Sequence, residues 1–172
     1  AVMGRQQAAG AMEPVSVPTP VAETDTESGA AADRASAKTD GVRKVAILGH
    51  RPPEIGGYGK NPVADGLRRH MKEILAAKAT MYDEVVVLTG LQLGSETLGA
   101  EAALEAGVGF VAVLAFPDPS ARWPKAAQKH FDDLIDQAAD VVVLDKEVPG
   151  TGIQVAKSFG RRDLWLQDQA SE

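Results

Sequence analysis

Two short polar runs, each at the end of an apolar segment, hold the side chains that could do chemistry. In the first, Val45-Ala46-Ile47-Leu48 stops at Gly49 and is followed at once by His50, Arg51, Pro52 and Pro53. A glycine lets backbone come close to a ligand, an arginine fork fits phosphate or carboxylate, and prolines stiffen the turn. The second run, Thr89-Gly90-Leu91-Gln92-Leu93-Gly94-Ser95-Glu96, follows another apolar segment and opens a helical one. Its glycines and helix amino end form an anion cradle. Phosphate is the expected guest, although the spacing is not the GxGxxG dinucleotide fingerprint. Glu96 and Glu101 sit where a carboxylate favours the helix dipole but repels a phosphate. Glu96 is therefore also read as an acceptor for ribose hydroxyls.

Such tips converge only if the strands that carry them run parallel. Lys44–Leu48, Glu84–Thr89, Phe110–Ala115 and Asp140–Leu144 have the apolar runs of strands covered on both faces. Between them, Val63–Ala79, Gly94–Ala106 and Trp123–Ala138 have helical composition, with Leu67, Met71, Ile74 and Leu75 on the apolar face of the first, Gly107 closing the second, and Arg161–Gln169 forming a last helix. The expected fold is α/β, a Rossmann-like, doubly wound, mainly parallel sheet flanked by helices. Its ligand would lie beyond the carboxyl ends of the strands.

Composition narrows the partners. The net charge of -6 argues against a nucleic-acid-binding face, and no stretch is long and apolar enough for a membrane span. There is no cysteine, hence no thiolate metal site or disulfide, which fits a reducing cytoplasm; the three histidines are scattered and suggest no metal centre. From Ala1 to about Asp40 the chain has no Leu, Ile, Phe, Tyr or Trp. Residues 1–42 are therefore expected to form a low-complexity tail, disordered or ordered by a protein partner, ahead of one domain over residues 43–172. A homo-oligomer contact through the sheet is a further expectation, with nothing to locate it.

Several motifs in order resemble the SLOG superfamily, and within it the YpsA-like branch. They are Gly49-His50-Arg51-Pro52, the glycine pair before Tyr58, the Thr89-Gly90-x-x-Leu93-Gly94 turn, Glu101-Ala102-Ala103, Phe116-Pro117 with Arg122-Trp123-Pro124, and Arg162-Asp163-Leu164-Trp165-Leu166-Gln167-Asp168. The resemblance spans Lys44 to Asp168. It implies a Rossmann-like fold that binds a nucleotide or nucleotide-derived ligand, with Tyr58, Phe116, Pro117, Arg122, Trp123 and Arg162 joining the ligand contacts. Two departures stand out. Asp163 replaces the Asn usual in the closing motif, and Pro149-Gly150-Thr151-Gly152 lacks the glutamate of the related cytokinin-activating phosphoribohydrolases.

Three functions follow as alternatives. The preferred one is ligand binding or sensing without catalysis and without a required cofactor. The second is hydrolysis of an N-glycosidic or phosphate bond, with Glu96 or Glu101 as general base and Arg51 stabilising developing charge. The third is an interaction scaffold that uses the tail. Trp123 and Trp165 are read chiefly as packing residues, with base stacking as the alternative, and His70 and His130 are expected to face solvent.

Overall fold

Runs of Val, Leu and Ala form the strands, buried on both faces over residues 87–89 and 112–114, whereas the fourth run, expected to be covered as well, leaves Val141 and Val143 exposed at the sheet edge. The computed structural model describes residues Thr39–Glu172. Strands β1 (Thr39–Ile47), β2 (Tyr82–Thr89), β3 (Gly109–Leu114) and β4 (Asp140–Val143) make a four-stranded sheet in the order β1-β2-β3-β4. Every neighbouring pair is parallel, with Val45 opposite Val87, Val87 opposite Phe110 and Ala112 opposite Val141. The expected tail lies outside the described residues, except that Thr39–Val42 already belongs to β1.

The helices are α1 (Pro62–Met81), α2 (Ser95–Glu105), α3 (Lys125–Ile135) and α4 (Gly152–Gln169). Because strand side chains alternate, Val85, Val87, Phe110 and Ala112 face α1, α2 and α3, where they meet Leu75, Ala100, Ala103, Phe131 and Leu134. Leu88 and Val113 face the other way, against Leu166 and Trp165 of α4. Trp165 is therefore a packing residue. So is Trp123, whose ring meets Phe131 edge-on at 5.5 Å.

The winding direction reverses after β4. Helix α4 crosses the second face and the chain returns to the free edge of β1, where the Lys44 carbonyl accepts from Ser171 and Glu172 N–H at 2.8 and 3.2 Å, and the Glu172 carbonyl accepts from Ala46 N–H at 3.0 Å. These are the alternating bonds of a parallel ladder about Val45. Three crossovers lead away from β1 in one direction and the last leads back to it, so the sheet is doubly wound. Sheets of this kind bind ligands beyond the carboxyl ends of their strands.

Two helix starts and one burial differ from the expected ones. Helix α4 starts at Gly152 and not at Arg161, because Thr151 and Gln154 form a capping box: the Thr151 hydroxyl accepts from Gln154 N–H at 3.3 Å while the Gln154 side chain accepts from Thr151 N–H at 3.2 Å. Helix α3 starts after Trp123, since Pro124 holds an extended backbone at its amino end. Ile74, expected on the buried face of α1, is 43% exposed because only the arc around Leu75 meets the sheet. Among the described residues no helix is long and apolar enough to cross a membrane.

Phe110 lies on the middle of the first face with none of its surface exposed. Phe110→Ala is expected to cost about 3–5 kcal/mol of unfolding free energy in a denaturant titration, the usual scale for an aromatic cavity. A loss under about 1 kcal/mol would show that this face is not the core.

Candidate functional site

The two strand tips are fastened to each other. His50 N–H donates to Ser95 Oγ at 3.1 Å, and the His50 carbonyl accepts from Ser95 N–H at 3.0 Å and Ser95 Oγ–H at 3.2 Å. Glycine is needed on both sides of this junction. A Cβ on Gly49 would stand 2.8 Å from the Ser95 Cβ, and one on Gly94, whose φ is +116°, would stand 2.3 Å from the His50 carbonyl oxygen. Gly49, Gly94 and Ser95 therefore serve the close approach of two loops. The expected anion cradle is filled from within the chain: Thr97 N–H donates to the Gln92 carbonyl at 3.2 Å and Gln92 N–H to the Glu96 carboxylate at 3.2 Å.

Behind this junction Glu96 of α2 meets Arg162 of α4. Arg162 Nη2 donates to Glu96 Oε1 at 2.9 Å, and the two side chains are 2% and 6% exposed. Gly90 makes the space, since a Cβ there would stand 2.1 Å from Arg162 Nη1 and 2.6 Å from Glu96 Oε2. Asp163 shares the guanidinium, accepting from Nε at 3.0 Å and Nη2 at 2.6 Å. Phe159 lies under it at 5.3 Å, a cation–π contact, and Nη1 is buried without a hydrogen-bond partner. Thr89 completes the corner, its hydroxyl donating to the Glu96 carbonyl at 3.0 Å. Burial raises the Glu96 carboxyl above the usual range, while the Arg162 charge works against that rise.

Above the pair opens a cavity of about 510 Å³. Of the residues expected at the site it gathers Arg51, Pro52, Tyr58, Phe116, Arg122 and Trp123. It adds Gln92, Asp118 and Phe159, which sequence reasoning missed. Phe159 precedes the helix expected over Arg161–Gln169; the Thr151-x-x-Gln154 box was the available signal for the earlier start. Asp118 sits at φ +49°, a conformation that only Asn, Asp and Gly adopt readily, just past the end of β3. Phe116 and Phe159 meet edge-on at 5.4 Å and make an aromatic wall.

The cavity wall does not include Gly49, His50, Thr89, Gly90, Ser95, Glu96, Pro117 or Arg162. His50 is exposed on its loop, and Pro117 links Phe116 to Asp118. Glu101 lies apart, on a second cavity formed by α2, α3 and the loop around Tyr58. There it pairs with His130 Nε2 at 2.8 Å. His130, expected in solvent, is thus held by a carboxylate on the neighbouring helix, while His70 is 71% exposed as expected.

Arg51 and Arg122 are exposed on the cavity wall, and among the described residues neither forms an ion pair. Two free guanidinium groups beside an aromatic wall suit an anion attached to a planar ring. No family model matches the sequence, and no curated protein matches it.

Removing Arg162 should expose the cost of the buried carboxylate. Arg162→Met is expected to lose about 3–5 kcal/mol at neutral pH, the scale for breaking a buried pair from one side. Without the arginine, the folded-state pKa of Glu96 rises further above its unfolded value. Stability tied to the protonated carboxyl is complete below the unfolded value, about 4.3, and is lost as pH rises through the folded one. The gap between variant and parent should therefore narrow on acidification in parallel denaturant titrations. A gap independent of pH would remove Glu96 from the account.

Proposed function

We propose that the protein binds or senses a nucleotide or nucleotide-derived ligand in the cavity at the carboxyl edge of its sheet. The phosphate lies between Arg51 and Arg122, and the base lies against Trp123 and the Phe116–Phe159 wall. The observation that carries this is the pair of guanidinium groups, free of ion pairs among the described residues and lining one cavity with these aromatics. The doubly wound sheet supports the same location. So does the order of motifs that resembles the YpsA-like branch.

Binding without chemistry is favoured over hydrolysis by the state of the two acids expected from the sequence to act as general base. To act as a general base, Glu96 would have to leave a 2.9 Å bond to Arg162 inside a buried corner. Glu101 is likewise engaged, by His130 at 2.8 Å and by Arg68 at 3.4 Å. No cofactor is needed for recognition of this kind.

Calorimetry with the four ribonucleoside 5′-monophosphates should detect binding to the full chain. Arg51→Ala and Arg122→Ala should each weaken it by about tenfold to a hundredfold, as expected for a charge-assisted hydrogen bond. No binding of any of the four, or unchanged affinity in both variants, would contradict the proposal. Glu96→Gln should produce no change in turnover, because none is expected in the parent when products are followed chromatographically.

A further inference from the structure

The second cavity, about 420 Å³, is continuous in its lining with the first: Pro52, Tyr58, Leu93 and Pro124 belong to both. Its wall is mostly apolar. The Thr97 hydroxyl is committed to the Gly94 carbonyl at 2.9 Å, which leaves the Glu101–His130 pair as the charged feature. Glu101 is held from two directions, by His130 Nε2 on Oε1 at 2.8 Å and by Arg68 Nη1 on Oε2 at 3.4 Å. Its side chain is 23% exposed. A carboxylate so placed keeps lone pairs for further donors.

This arrangement suits neutral donors and not a second anion, since a carboxylate repels phosphate. Vicinal hydroxyls match it well. Each can donate to a fixed carboxylate, and a pair of them selects sugars over other polar groups. Glu96, the acceptor expected from the sequence, is already committed to Arg162 and lines neither cavity. We propose that Glu101, oriented by His130 and Arg68, accepts the ribose hydroxyls of the nucleotide, whose sugar crosses the wall shared by Tyr58 and Leu93. This rests on the assignment of the first cavity to the phosphate. Glu101 is then the residue that distinguishes ribose from sugars lacking these hydroxyls, and His130 is a positioning residue.

The test compares the four ribonucleoside 5′-monophosphates with their 2′,3′-dideoxy counterparts by calorimetry on the full chain. The parent protein should prefer the ribonucleotides by about tenfold or more, the effect of a hydrogen bond to a charged group. Glu101→Gln should abolish most of that preference and His130→Gln should reduce it, while Arg51→Ala weakens ribo and dideoxy ligands alike. The comparison within the parent requires no variant to fold. Equal affinity for the two sugar classes, or a full preference retained in both Glu101→Gln and His130→Gln, would overturn the inference. If nucleotides bind through Arg51 without a sugar preference, the phosphate site stands and the Glu101 assignment falls. If none binds, both fall.

Discussion

The ion pair between Glu96 and Arg162 is the contact on which the arrangement of the strand tips depends. It joins α2, on one face of the sheet, to α4, on the other, across the end of β2 at Gly90. Both charges are removed from water, which is costly unless each is answered. Glu96 is answered by Arg162 and by Gln92 N–H, and Arg162 by Glu96, Asp163 and the Phe159 ring. The backbone from Thr89 to Glu96 has to follow these bonds. Leu91, fully buried in this turn, sits at φ +56°, a costly conformation for a residue that is neither glycine nor asparagine.

Fixing that turn decides what is left for a ligand. At the start of α2, Ser95 N–H is taken by the His50 carbonyl and Thr97 N–H by the Gln92 carbonyl, and the Glu96 carboxylate lies beside them, which disfavours an anion held as in a glycine-rich phosphate loop. Among the described residues, the cations that line the first cavity and form no ion pair are Arg51, after β1, and Arg122, after β3. A chain with a net charge of -6 thus presents two guanidinium groups at one place. In the proposed function, recognition passes from backbone to side chains, and the proposed sugar acceptor is Glu101 in place of Glu96.

Much of this was legible in the sequence because apolar runs and glycine stops are local signals. The four strands follow from runs such as Val85-Val86-Val87-Leu88 and Phe110-Val111-Ala112-Val113, and the strand-tip position of Arg51 follows from Gly49. What was not legible depended on pairs distant in sequence. Glu96 and Arg162 are 66 residues apart, and Glu101 and His130 are 29 apart, so nothing local identifies either partner. Gly90 and Gly94 are conspicuous in the sequence, yet the groups that press on them, a guanidinium and a backbone carbonyl, come from elsewhere in the chain. The early start of α4 was within reach, since Thr151 and Gln154 have the spacing of a capping box, but the surrounding glycines resemble a turn.

A double-mutant cycle between Glu96→Gln and Arg162→Met tests the central interaction most directly. Unfolding free energies of the parent, the two single variants and the double variant give the coupling between the side chains, separate from what each does alone. A coupling of about 2 kcal/mol or more is predicted, with the double variant more stable than Arg162→Met alone because no unpaired charge stays buried. Additive losses, with coupling below about 0.5 kcal/mol, would contradict the claim that this pair holds the two helix layers and the strand tips together.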